Sequence, residues 1–84
     1  MNIKQEVRHF ILENYLYTED ESELGDDDSF LETGILDSTG MMELIYFLED
    51  EHAIKVEDDE MIPENLDSVA RVAAYIERKR ASAT

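Results

Sequence analysis

Apolar residues recur three or four positions apart in three separate stretches of this chain, and that spacing dictates helices. Ile3, Val7, Phe10 and Ile11 share one face of a stretch running from about Ile3 to Tyr17, and Tyr15 and Leu16 continue its apolar character. Met41, Leu44, Ile45 and Leu48 share a face between Ser38 and about His52. Val69, Val72, Ala73 and Ile76 share a third face, in a stretch that opens at "NLDS" and runs to about Arg80. Arg and Lys in its last turn suit the negative end of a helix dipole, and Asp67 or Ser68 is its expected N-cap. Ile54 and Val56 alternate as in a strand, but the chain offers no partner strand, so a core-facing loop is expected there. A short helical turn is expected around Asp59 to Glu64, with Pro63 near its limit. The fold class is therefore all-α: a small four-helix bundle of three main helices and one short helix, with a long loop between the first two.

That loop, residues 18 to 36, is acidic and holds Gly25 and Gly34. A structureless connection of this length is unusual unless it is packed or functional. Phe30, Leu31, Ile35 and Leu36 are expected to pin it to the core. At 84 residues the chain reads as a single domain, 1–84, with a modest core and no room for a deep, enclosed active site. Nothing approaches the roughly 20 apolar residues of a membrane span. "MNIKQEVRHF" has no basic leader followed by an apolar block, so a cytoplasmic protein is expected.

The net charge is -15, and its distribution is uneven. Residues 19 to 67 hold 19 of the 22 acids and a single base, Lys55. Such a field repels nucleic acid and anionic lipid and steers basic protein surfaces toward the chain. A solvated surface that aids solubility explains the same charge.

"GILDSTGMMEL", residues 34 to 44, places an Asp-Ser pair where the loop gives way to the second helix. A hydrolase nucleophile elbow needs glycine at position 36, which is Leu36. His9 and His52 are the candidate bases, and both are far from Ser38 in sequence. An enzyme is thus not expected. The acid runs at 26 to 28 and 57 to 60 lack the alternating ligands of a calcium loop, so no specific metal site is expected. Asp37 is a good N-cap with Ser38 as the first helical residue, and capping alone would account for the pair. The Asp67-Ser68 pair reads as a cap with no further role. Ser38 differs in its setting: its hydroxyl would stand at the exposed start of a helix, where free N–H groups and the dipole favour an anion such as a phosphate ester.

The second helix carries an independent sign. At about 100° per residue, Thr39, Met42 and Tyr46 form an arc away from the core face, flanked by Glu43, Glu49 and Asp50. A core helix does not need this stripe. Exposed Met and Tyr rimmed by acids form the pattern of a docking surface. The plainer alternative is partial burial of Met42 and Tyr46 beneath the first loop.

"GILDSTGMMELIYFLEDEHAIKV", the later "IPENLDSVARVAAYI" and the acidic helix-loop-helix order resemble the acyl carrier and peptidyl carrier protein family over about Ile3 to Arg78. The resemblance implies a carrier, not an enzyme. Ser38 would be the attachment point of 4′-phosphopantetheine, transferred from coenzyme A by a phosphopantetheinyl transferase, and Asp37 the motif aspartate. The arm's thiol would hold acyl or aminoacyl cargo as a thioester, which fits a chain without cysteine. Thr39, Met42, Glu43, Tyr46, Glu49 and Asp50 would meet partners. Thr39 and Gly40 depart from the large apolar residue common after the serine. The Asp-Ser-Thr-Gly variant is similar to freestanding, monomeric carriers served by a dedicated adenylating ligase and a downstream acyltransferase or synthase. The rival is an acidic helical adaptor for a basic protein, with Ser38 only a cap.

Overall fold

The computed structural model describes residues 2–82. Four α-helices form the frame: α1 (Ile3–Ile11), α2 (Ser38–His52), α3 (Pro63–Leu66) and α4 (Val69–Ser82). No strand occurs among the described residues. The four-helix bundle with a long first loop is the architecture expected from the apolar spacing.

α1 begins where Asn2 accepts a hydrogen bond from the Gln5 N–H at 2.8 Å, and buries Val7 and Ile11. Its continuation departs from expectation. Residues Leu12–Leu16 widen into a π-turn, which closes when the Tyr17 N–H reaches back to the Leu12 carbonyl with Tyr17 left-handed at φ 53°. The wide turn keeps Leu12 in the core (1 % exposed) while releasing Tyr17 to solvent.

The first loop is packed. Leu24, Phe30 and Leu36 are buried and Ile35 is half-buried, whereas Leu31 is exposed against expectation. Asp67 explains the difference. Its carboxylate accepts from the Ser29 hydroxyl and from the Leu31 N–H at 3.0 Å, and its carbonyl accepts from the Phe30 N–H at 2.9 Å. Pinning both amides to one residue turns Phe30 inward and leaves Leu31 outside. Further back, Asp26 pairs with Arg8, and its carbonyl accepts from the Ala70 N–H at 2.9 Å. Gly34, at φ 77°, makes the left-handed turn that returns the chain toward α2.

Ser68 caps α4 through the Arg71 N–H at 3.2 Å, as one of the two expected caps. Its neighbour Asp67 is the loop tether, a role the sequence pattern did not indicate. The segment before α4 also differs from the single expected turn. A 3₁₀ turn at Asp58–Glu60 is followed by α3, and Pro63 opens α3 at its first position, where its missing N–H costs nothing. Glu60 locks this segment to α4 by accepting from Lys79 at 2.8 Å and from the buried Tyr75 hydroxyl at 3.1 Å. Val69, Val72, Ala73 and Ile76 all line the core, as does Val56 in the loop after α2.

Candidate functional site

The start of α2 is built by Asp37. Its extended backbone (φ −103°, ψ −169°) turns the chain, its carboxylate accepts from the Gly40 N–H at 2.8 Å, and its carbonyl accepts from the Met41 N–H at 2.8 Å. Ser38 is the first helical residue and is exposed. With the Gly40 amide capped, the N–H groups of Ser38 and Thr39 are left at the open end of the helix, where the dipole also favours negative charge. An exposed hydroxyl beside two free amides suits a phosphate ester on Ser38.

Gly40 has a packing reason. A Cβ there would lie 3.1 Å from Leu36 Cδ2 and 3.3 Å from Tyr15 Cε1, so the absent side chain lets the π-turn after α1 close against the first turn of α2. Tyr15 then donates to Glu43 Oε1 at 2.6 Å. Burial first, and that hydrogen bond second, push the Tyr15 phenol up to about 12.

Both histidines are engaged away from Ser38. His52 stands at the far end of the same helix, ~21 Å away along its axis. Its Nε2 faces Glu6 at 2.9 Å, close enough for an ion pair but not aligned as a hydrogen bond. His9 lies 4.0 Å from Glu21. Among the described residues no three acidic or imidazole side chains are placed to hold a metal ion.

The outer stripe of α2 is less uniform than its spacing predicts. Thr39, Glu43 and Asp50 are exposed, and Tyr46 is 61 % exposed. Met42 is half-buried and packs against the core, so it is not the exposed methionine that the helical wheel predicts. Glu49 is also half-buried, and accepts from the Val56 N–H at 2.9 Å to close the turn after α2. Beside Tyr46 and Glu43 lies a groove of about 590 Å³, walled on its other side by Phe10, Asn14, Tyr15 and Tyr17 of α1 and its π-turn. Sequence reasoning missed Tyr17, whose position depends on how the π-turn ends.

Comparison with known proteins identifies the family. The family model described as "Phosphopantetheine attachment site" matches residues 11–76, more than three quarters of the chain, and the chain belongs to that family. It is a carrier protein rather than an enzyme, its prosthetic group is 4′-phosphopantetheine, and its partners are the enzymes that load and use a carrier. The fold is similar to that of a holo acyl carrier protein from Nitrosomonas europaea, with 23 % identity and a TM-score of 0.77 over 96 % of this chain and 99 % of that one. It is also similar to a chain in a structure described as an FAD-dependent dehydrogenase, with 33 % identity and a TM-score of 0.72 over 83 % of this chain and 97 % of that one. Those coverages make the second matched chain smaller than the present one. No curated protein matches the sequence significantly. No helix among the described residues is long and apolar enough to cross a membrane.

Proposed function

We propose that Ser38 is the residue that carries the phosphopantetheine arm, and that the chain is a freestanding, single-domain carrier of an acyl or aminoacyl thioester. The observation that carries this is the exposed Ser38 hydroxyl at the first turn of α2, inside the matched span. In loading, Ser38 Oγ forms a phosphoester bond to the phosphorus of coenzyme A that bears the pantetheine, the pyrophosphate P–O bond breaks, and the nucleotide portion leaves. The hydroxyl proton passes to a base of the phosphopantetheinyl transferase, since the Asp37 carboxylate beside Ser38 is engaged in capping Gly40. Asp37 fixes the helix start that presents the hydroxyl. The bound group supplies a terminal thiol that holds cargo as a thioester.

Partners dock on the exposed part of α2: Thr39, Tyr46, Glu43 and Asp50, with the half-buried Met42 and Glu49 contributing at its edge. Acids around an exposed aromatic suit basic partner surfaces, whose approach the net charge of -15 accelerates. The partners on this reading are the transferase, an adenylating ligase and a downstream acyltransferase or synthase, meeting a monomer in the cytoplasm.

Intact-protein mass before and after incubation with coenzyme A and a broad-specificity phosphopantetheinyl transferase tests the assignment. The parent should gain one phosphopantetheine, and Ser38→Ala should gain none while keeping its helical circular dichroism. Loading of Ser38→Ala would refute the site. No gain by the folded parent, with a transferase active on another carrier, would leave Ser38 a helix cap and favour the adaptor alternative.

A further inference from the structure

The groove between the π-turn of α1 and the flank of α2 has a consistent chemistry. Its walls are Phe10, Asn14, Tyr15, Tyr17, Glu43 and Tyr46. Four aromatic residues line it, and Glu43 adds a carboxylate. Among the described residues, the one charged group in the lining is the carboxylate of Glu43. Tyr15 has spent its hydroxyl proton on one Glu43 oxygen, which leaves the other oxygen open. Asn14 donates one amide N–H to the Phe10 carbonyl at 2.8 Å, and its side-chain oxygen accepts no hydrogen bond from a described residue in the groove. Such a lining suits a cation.

Tyr17 points the same way. It caps the π-turn at φ 53°, as Ala53 caps α2 at φ 52°, and this left-handed end leaves its side chain 84 % exposed. Its ring does complete a wall of the groove.

We infer that this groove receives an aminoacyl cargo, seating the cargo's ammonium group among the rings of Tyr15, Tyr17 and Tyr46 and the carboxylate of Glu43. This rests on the reading that Ser38 bears the arm. Tyr46 lies eight residues beyond Ser38, ~12 Å along the helix axis. The arm's pantoate, β-alanine and cysteamine units equal roughly four residue-lengths of extended chain, ~14 Å, so its end reaches the groove. Contact between a cation and exposed rings is weak. Tethering raises the local concentration to the order of mM, however, and a site of mM affinity is then about half filled. A neutral alkyl cargo gains little from so open a groove, because Tyr17 and Tyr46 stay largely in water on either side of it. The groove therefore discriminates by charge.

The test loads the full chain with two amide-linked, hydrolysis-resistant cargoes of one shape, alanyl and 2-methylpropanoyl, in which an ammonium group replaces a methyl. Complete loading is verified by mass. Nuclear magnetic resonance then reads the ring signals of Tyr15, Tyr17 and Tyr46 against the chain bearing the bare arm. The alanyl form should shift them and the 2-methylpropanoyl form should not. Tyr17→Gly, which eases the left-handed backbone and so keeps the fold, should lose the alanyl-specific shifts of Tyr15 and Tyr46, as should Glu43→Gln. Equal shifts from the two cargoes, or full alanyl shifts in Tyr17→Gly, would overturn the inference. Complete loading with unmoved rings overturns the groove alone, whereas no mass gain in the parent overturns the Ser38 assignment with it.

Discussion

Gly40→Ala sets helix propensity against packing. Alanine is favoured over glycine in a helix by about 1 kcal/mol, so propensity alone makes the variant more stable. The new Cβ, however, would sit 3.1 Å from Leu36 Cδ2 and 3.3 Å from Tyr15 Cε1. Neither neighbour retreats easily. Leu36 is 2 % exposed, and Tyr15 is held at its hydroxyl by Glu43 at 2.6 Å and along its edge by Phe10, with ring centroids 6.0 Å apart. Overpacking of this kind costs about 1–3 kcal/mol. The expected net effect is a loss of about 1 kcal/mol. For a domain of this size that lowers Tm by about 4–8 °C. Thermal and urea unfolding followed by circular dichroism measure it. Tyr15→Ala removes one of the two contacts, so adding Gly40→Ala to Tyr15→Ala should cost less than adding it to the parent. A rise in Tm for the single variant, or the same loss in both backgrounds, would refute the packing account of Gly40.

Other outcomes follow from named contacts. Asp67→Ala removes the two side-chain bonds to Ser29 and Leu31, and should cost about 2 kcal/mol and speed amide exchange at Leu31 more than inside α4. Lys79 beside Glu60 holds its carboxyl below the usual carboxylate range, so the unfolded chain binds that proton at a pH where the fold does not. The resulting stability is full above the ordinary carboxylate value of 4.5 and is lost as pH falls through the folded value. The Tm difference between the parent and Glu60→Gln should therefore shrink toward acid pH; comparing the two cancels the acid relief of overall charge repulsion that both share. Charge reversal at Glu43 and Asp50 should slow phosphopantetheine loading at low ionic strength, and the gap should narrow as salt screens the field, which loading rates across a salt series would check.

What the sequence determined is what depends on local spacing. Period 3.6 fixed α2, α4 and the Ile3–Ile11 part of the first helix, with the core faces of Leu44, Ile45 and Leu48 and of Val69, Val72, Ala73 and Ile76, because a helix brings its own apolar stripe together before any partner is chosen. The Asp-Ser pair at the start of α2 was legible for the same reason: capping is settled within four residues.

The tertiary structure decided what depends on residues distant in the chain. Leu24 and Tyr75 are buried, and Arg8 and Glu60 bond to them from 16 and 15 residues away, separations no periodicity registers. Asp67 is a loop tether through Ser29 and Leu31, over thirty residues earlier. Glu49 serves the Val56 amide, so a carboxylate that the helical wheel assigns to a docking edge is partly engaged within the fold. The aromatic groove exists because Gly40 admits Tyr15 and the π-turn leaves Tyr17 on the wall across from Tyr46. A wheel drawn for α2 alone shows one wall of that groove, and only the close approach of α1 supplies the other.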